Sequence, residues 1–151
     1  MRTPAQWFAM FAVSHQNILN KKIHFVCVPV IYYSIIGLLM AIPNQILKET
    51  LRINLPIVEN WAAIVAFMVL LFYLQLSLKI FIRMLLFTAL CMCLNHWLGS
   101  IANNLHVSIA LFVVAWIGQF YGHKIEGRKP SFLEDLQFLL IGPAWVFEKI
   151  F

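Results

Sequence analysis

Three polar side chains follow one another at helical spacing near the end of a long apolar stretch. Gln119 and His123 are four residues apart, and Glu126 follows His123 by three. On an α-helix this spacing places an amide, an imidazole and a carboxylate on one face. Polar groups inside an apolar segment are costly and usually serve a function. Gly127 and Pro130 then mark the end of the predicted helix.

A second polar cluster lies at the beginning of the first apolar segment. It contains His15, Asn20 and His24, and the last two share a helical face because they are four residues apart. Imidazoles with one carboxylate form the ligand set of non-haem iron(II) oxygenases, and zinc accepts the same donors. The two clusters together predict a metal site whose ligands are His15, His24, His123 and Glu126. The alternative is a set of interfacial histidines that only form hydrogen bonds.

The composition is that of an integral membrane protein. Of the 151 residues, 62% are hydrophobic and 11% are charged, with a mean hydropathy of +0.85. Soluble domains are about 45–50% apolar and about 25% charged. The net charge of +5 fits cytoplasmic loops and lipid headgroups, and no nucleic-acid partner is expected. Three cysteines within apolar segments argue against a disulfide framework.

The apolar segments predict an all-α integral membrane protein, a single domain over residues 1–151 with about four transmembrane helices. The predicted spans are residues 24–41, 61–77, 80–97 and 106–121. The second and third spans are separated by a tight turn and form a hairpin. Interfacial segments are predicted at 4–20 and 132–151, the latter as an interfacial or re-entrant helix interrupted at Gly142-Pro143.

The basic residues orient this topology. Four spans place both termini on one side of the membrane, and only Lys48 and Arg52 fall on the other side. By the positive-inside rule the termini are cytoplasmic. The protein is therefore expected in the inner membrane of a bacterium or in the endoplasmic reticulum of a eukaryote.

The same topology separates the five histidines into two groups. His15, His24 and His123 fall at the cytoplasmic end, whereas His96 and His106 fall toward the opposite end. His106 is about 25 Å from His123 along the fourth span. A close helix contact is predicted at Gly118-x-x-x-Gly122, which would bring the two polar clusters together.

Two stretches resemble the 2-hydroxy fatty acid dioxygenase family, which acts in phytosphingosine breakdown in yeast and has bacterial membrane relatives. They are His15-x-x-x-x-Asn20-x-x-x-His24 with Pro29, and Trp116-x-x-Gln119-x-x-Gly122-His123-x-x-Glu126-x-x-x-Pro130. The resemblance covers nearly the whole chain. It implies an oxidoreductase that uses Fe(2+) and O₂ to shorten a 2-hydroxy fatty acid by one carbon, with release of CO₂.

The resemblance also implies roles for the individual residues. His15, His24 and His123 would bind iron, and Glu126 would be a further ligand or would orient the ligands. Gln119 and Asn20 would hold the substrate or the imidazoles. The expected partners are a 2-hydroxy fatty acid, O₂ and membrane lipids, with a homo-oligomer as an open alternative.

Two other functions are compatible with the sequence. One is another metal-dependent membrane lipid enzyme, such as a zinc hydrolase. The other is a non-catalytic membrane or lipid-binding subunit, in which the polar face of the fourth span would pair helices instead of binding a metal.

Overall fold

The computed structural model describes residues 3–13, 16–127 and 132–150, with the backbone alone given at 4, 10, 11, 13, 132–139 and 150. Within these ranges the chain is all-helical, with 84% helix and no strand. The sequence prediction of an all-α fold is thus confirmed. The helices in the described ranges are α1 (Pro4–Val13), α2 (Ile18–Met40), α3 (Gln45–Leu51), α4 (Trp61–Leu76), α5 (Leu78–Ile101), α6 (Asn104–Glu126) and α7 (Phe132–Ile150).

Three of the described helices are long and apolar enough to cross a membrane. They are α2, α5 and α6, with 23, 24 and 23 residues, or about 35 Å each at 1.5 Å per residue. Helix α4 is also apolar, but its 16 residues extend only about 24 Å. The four predicted spans correspond to these four helices, and α2, α5 and α6 extend beyond the predicted bounds.

Each of these four helices begins at a residue whose side chain caps the first turn. Asn17 accepts hydrogen bonds from the N–H groups of Leu19 and Asn20 at the start of α2. The caps of the other three helices are Asn60, Ser77 and Asn103. These side chains satisfy N–H groups that have no partner within the helix. The predicted segment 4–20 is consequently divided between α1 and the beginning of α2.

Helices α2 and α5 run parallel to each other, and α4 and α6 run antiparallel to α2. The hydroxyl of Tyr32 on α2 is 2.7 Å from that of Thr88 on α5. One residue, Ser77, separates α4 from α5, which confirms the predicted hairpin. The bundle therefore has a proximal end, where α2 begins and α6 ends, and a distal end, where α2 ends and α6 begins.

Helix α7 packs into the proximal end of the bundle. Residues 141–146 are buried, and Trp145 stacks on Phe25 of α2 with ring centroids 5.6 Å apart and packs against Val28. The helix continues through Pro143, so the predicted interruption at Gly142-Pro143 is wrong. Packing against α1, α2 and α5 stabilises the helical backbone on both sides of the proline, although the ring removes one hydrogen bond.

Polar contacts attach α7 to the hairpin of α4 and α5. The hydroxyl of Tyr73 donates to the carbonyl of Leu140 at 2.5 Å. Arg83 pairs with Glu148 at 2.5 Å, and Lys79 lies 3.8 Å from the same carboxylate. The charged groups near the start of α5 are thereby held at the proximal end, toward which Arg83 was expected to extend.

Glycines allow α2 and α6, the most extensive helix pair, to approach closely. A Cβ atom at Gly118 would lie 2.7 Å from Sγ of Cys27, and one at Gly122 would overlap Oδ1 of Asn20. At the distal end a Cβ at Gly37 would overlap side chains of α5 and α6. The predicted close contact at Gly118-x-x-x-Gly122 is confirmed, and it fixes both the spacing and the rotation of the two helices.

We expect Gly122→Ala to lower the free energy of unfolding by about 1–3 kcal/mol, because the new methyl group displaces the buried Asn20 side chain. The matched control is Gly99→Ala in α5, where the nearest atom to the new Cβ is 3.9 Å away. This control should be neutral or stabilising by up to about 1 kcal/mol. Denaturant titration followed by circular dichroism in detergent micelles compares the two variants. Equal stabilities would contradict a steric role for Gly122.

Candidate functional site

His24 and His123 lie side by side at the proximal end. Their ring centroids are 5.3 Å apart, and their planes meet at 89°. Both side chains are buried, with exposed fractions of 3% and 9%. The antiparallel packing of α2 against α6 brings them together, which confirms that these two histidines meet. His15, the third predicted ligand, lies outside the described residues.

The orientation of His24 is fixed by the backbone. Its Nδ1 is 3.0 Å from the carbonyl oxygen of Asn20. A carbonyl only accepts hydrogen bonds, so Nδ1 carries the proton and the lone pair lies on Nε2. Histidines that bind metals usually have this arrangement, in which the second ring nitrogen donates to a carbonyl or a carboxylate.

The histidine pair fits a shared metal ion in both tautomer and separation. Two imidazoles that bind one ion at about 2.1 Å have ring centres about 5 Å apart, close to the observed 5.3 Å. Among the described residues, however, no group of three or more His, Cys, Asp or Glu side chains is placed to hold a metal ion. The described donors therefore account for part of a metal site.

The carboxylate of Glu126 binds the start of α2. Its Oε1 accepts a hydrogen bond from the N–H of Gln16 at 2.6 Å, and its Oε2 accepts from Nδ2 of Asn20 at 2.8 Å. The N–H of Asn17 also donates to this carboxylate, at 3.1 Å. A negative group is favourable at a helix N-terminus because of the unpaired N–H groups and the helix dipole. This geometry favours the predicted orienting role of Glu126 over direct metal ligation.

The predicted substrate residues are buried beside the histidines. Asn20 and Gln119 have exposed fractions of 0% and 5%. Oδ1 of Asn20 and Nε2 of Gln119 have no hydrogen-bond partner in the described part of the chain. Such atoms are uncommon in native proteins and call for an explanation.

Trp116 lies on the same face of α6, three residues before Gln119. Its ring contacts Phe112 and Phe120, with centroids 6.0 and 5.5 Å away. Its Nε1 is buried and also has no hydrogen-bond partner among the described residues. Sequence reasoning left open whether this tryptophan is an anchor or a pocket wall, and the structure places it within the bundle.

Basic residues are present near the histidines. Lys21 is half-buried at the start of α2, whereas Lys22 and Lys124 are exposed at the same end. The remaining predicted cations of this group, Arg128 and Lys129, lie outside the described residues. Cations at this position raise the local concentration of anionic ligands.

The other two histidines lie at the distal end, as the sequence predicts. Both His96 and His106 are exposed. His96 lines a cavity of about 510 Å³ together with Asn95 and Asn104. Neither histidine is therefore available to the pair formed by α2 and α6 at the proximal end.

A smaller apolar groove of about 200 Å³ lies between α2, α5 and α6. Pro29 and Tyr33 contribute to it from α2. Because Pro29 follows His24 by five residues, the two side chains leave α2 in directions about 140° apart. The groove thus lies on a different side of α2 from the histidine pair.

Sequence reasoning missed the polar contacts that hold the distal end together. Nδ2 of Asn95 donates to the carbonyls of Cys91 and Tyr33 at 2.9 and 3.2 Å. Ser108 is fully buried next to Gly37. An asparagine within an apolar segment was the available signal, because such residues usually have a polar partner on a neighbouring helix.

Fold and site together define a small helical protein that has apolar helices of membrane-spanning length and a buried histidine pair at one end. The family model described as 2-hydroxy-palmitic acid dioxygenase Mpo1-like matches residues 1–151, and the chain belongs to this family. This confirms the family that the sequence motifs resemble. No curated protein and no solved structure matches the chain.

We expect Glu126→Ala to lower the free energy of unfolding by about 1–3 kcal/mol, because three donors at the start of α2 lose a charged acceptor. Glu126→Gln should lower it less, because one acceptor oxygen is retained. The control is Glu49→Ala, at an exposed position, which should change stability by less than about 0.5 kcal/mol. Thermal unfolding in detergent measures all three variants. Equal effects at positions 126 and 49 would contradict the capping role.

Proposed function

We propose that the protein is an iron(II)-dependent dioxygenase that carries out α-oxidation of 2-hydroxy fatty acids. The buried pair of His24 and His123, in a chain of this family, is the observation that carries the proposal. In the overall reaction, R–CH(OH)–COOH and O₂ give R–COOH, CO₂ and H₂O. The bond between C1 and C2 breaks, and the substrate supplies all four electrons that reduce O₂. No external reductant is required.

Iron(II), when bound, supplies the redox chemistry with O₂. The residues proposed to hold it are His24, His123 and His15. The hydrogen bond from Nδ1 of His24 to the carbonyl of Asn20 orients the first imidazole. Glu126 fixes the start of α2 relative to α6 and so maintains the distance between the rings. Burial of both rings limits access of bulk water to the reacting groups.

The proposed topology has four membrane spans with both termini in the cytoplasm. Helices α2 and α5 run parallel, so the chain between them must return to the proximal end, and α4 is the helix that makes this return. Although α4 extends only about 24 Å, a shorter span is accommodated by local thinning of the bilayer. The basic residues at the proximal end then face the cytoplasm.

We expect protein purified without oxygen to contain about one iron per chain. Addition of 2-hydroxypalmitate and air should give oxygen uptake, CO₂ and the acid that is one carbon shorter. His24→Ala and His123→Ala should lose iron and reduce turnover by more than about 100-fold, because removing a ligand exceeds the effect of removing its supporting group. Metal analysis, an oxygen electrode and mass spectrometry of the lipids provide the measurements.

The matched controls are His96→Ala and His106→Ala, at exposed distal positions, which should retain iron and turnover. Turnover of a lipid substrate without O₂ would favour a hydrolase and contradict the proposal. Folded protein that binds no added iron and consumes no O₂ would favour a non-catalytic membrane subunit.

A further inference from the structure

Two buried hydrogen-bond donors on α6 have no acceptor in the described part of the chain. They are Nε1 of Trp116 and Nε2 of Gln119. The Gln119 side chain as a whole is 5% exposed. A buried donor without a partner destabilises a protein by about 1–3 kcal/mol, so two neighbouring donors of this kind require a compensating role.

The two donors lie on the face of α6 that carries His123. Trp116 precedes Gln119 by three residues, and Gln119 precedes His123 by four, so the three side chains are neighbours on the helix surface. Side chains on a helix tilt toward its N-terminus, which directs the ring of His123 toward Gln119. The donors therefore follow the histidine pair toward the middle of the bundle.

The unpaired acceptors of the bundle have a different environment. Oδ1 of Asn20 lies against Gly122, and Oδ1 of Asn95 lies against Gly37. A glycine Cα at this distance offers a weak C–H···O contact. These acceptors are thus explained by helix packing, whereas Trp116 and Gln119 point to a ligand.

The chemistry of the donors specifies the ligand. The indole N–H only donates, and the free nitrogen of the glutamine amide is also a donor. The complementary group has oxygen acceptors that can take both hydrogen bonds, and a carboxylate has two such oxygens. Hydrogen bonds to an ionised acceptor are roughly twice as strong as neutral ones, which helps offset the cost of burying the charge.

We propose that Trp116 and Gln119 form a carboxylate-binding subsite that holds the acid group of the substrate beside the histidine pair. This inference rests on the proposed function, because it assigns the position of C1 in a 2-hydroxy fatty acid. The subsite distinguishes the acid from an alcohol or an ester of the same chain length. Trp116 and Gln119 are accordingly binding residues that set specificity for the head group.

The test compares ligand affinity with stability in full-length protein under anaerobic conditions. Dissociation constants are measured in lipid nanodiscs for 2-hydroxypalmitate and for 1,2-hexadecanediol, which has no carboxylate. Trp116→Phe and Gln119→Leu should each weaken binding of the acid by about tenfold and leave binding of the diol unchanged. The matched controls are Trp97→Phe and Gln75→Leu, at exposed positions, which should leave both constants unchanged.

Stability of the ligand-free protein provides a second readout. Gln119→Leu removes a buried donor that has no partner, so its melting temperature should be unchanged or higher than that of the wild type. A purely structural glutamine would show the opposite change. Equal weakening of acid and diol binding, no weakening of either, or a lower melting temperature for Gln119→Leu would overturn the subsite.

These outcomes are separate from those that test the dioxygenase. A preference for the acid that is lost in Trp116→Phe, in protein that consumes no O₂, would support the subsite and reject the dioxygenase. Oxygen uptake with an unchanged KM in Trp116→Phe would support the dioxygenase and reject the subsite. A wild-type protein that binds acid and diol equally would also reject it.

Discussion

The close approach of α2 and α6 determines where the candidate site residues lie. Gly118 and Gly122 remove the side chains that would hold the two helices apart. Small residues serve this purpose in membrane helices because the surrounding lipid provides no hydrophobic driving force for association. Once the helices are in contact, their antiparallel direction places the start of one beside the end of the other. His24 and His123 meet for this reason.

The polar groups of the bundle have two different relations to the packing. Glu126 lies in the last turn of α6, where a negative charge is unfavourable for its own helix dipole, and binds the N–H groups at the start of α2, where the charge is favourable. This contact stabilises the proximal end. The unpaired donors of Trp116 and Gln119 contribute nothing comparable. A site that retains unpaired donors in its ligand-free form sacrifices stability for binding.

The helical spacing of polar residues predicted the faces of the two main helices correctly, and composition predicted the all-α fold. Asn20 and His24 share one face, and Gln119 and His123 share another, because spacing along a helix alone decides this. The partners of Glu126 were not predictable in the same way, since two of its donors are backbone N–H groups whose positions depend on the path of the chain before α2. The continuity of α7 through Pro143 likewise depends on tertiary packing, which overrides the local tendency of proline to end a helix.

The contact between Asn20 and Glu126 joins residues that are 106 positions apart, which has a consequence for biogenesis. Synthesis proceeds at about 5–20 residues per second, so α2 enters the membrane several seconds before α6 exists. During this interval Asn20 and His24 are close to the start of their helix, where the aqueous surface can hydrate them. Insertion of α2 therefore does not require its partner helix. The histidine pair is formed later, by lateral association of helices that are already inserted in the bilayer.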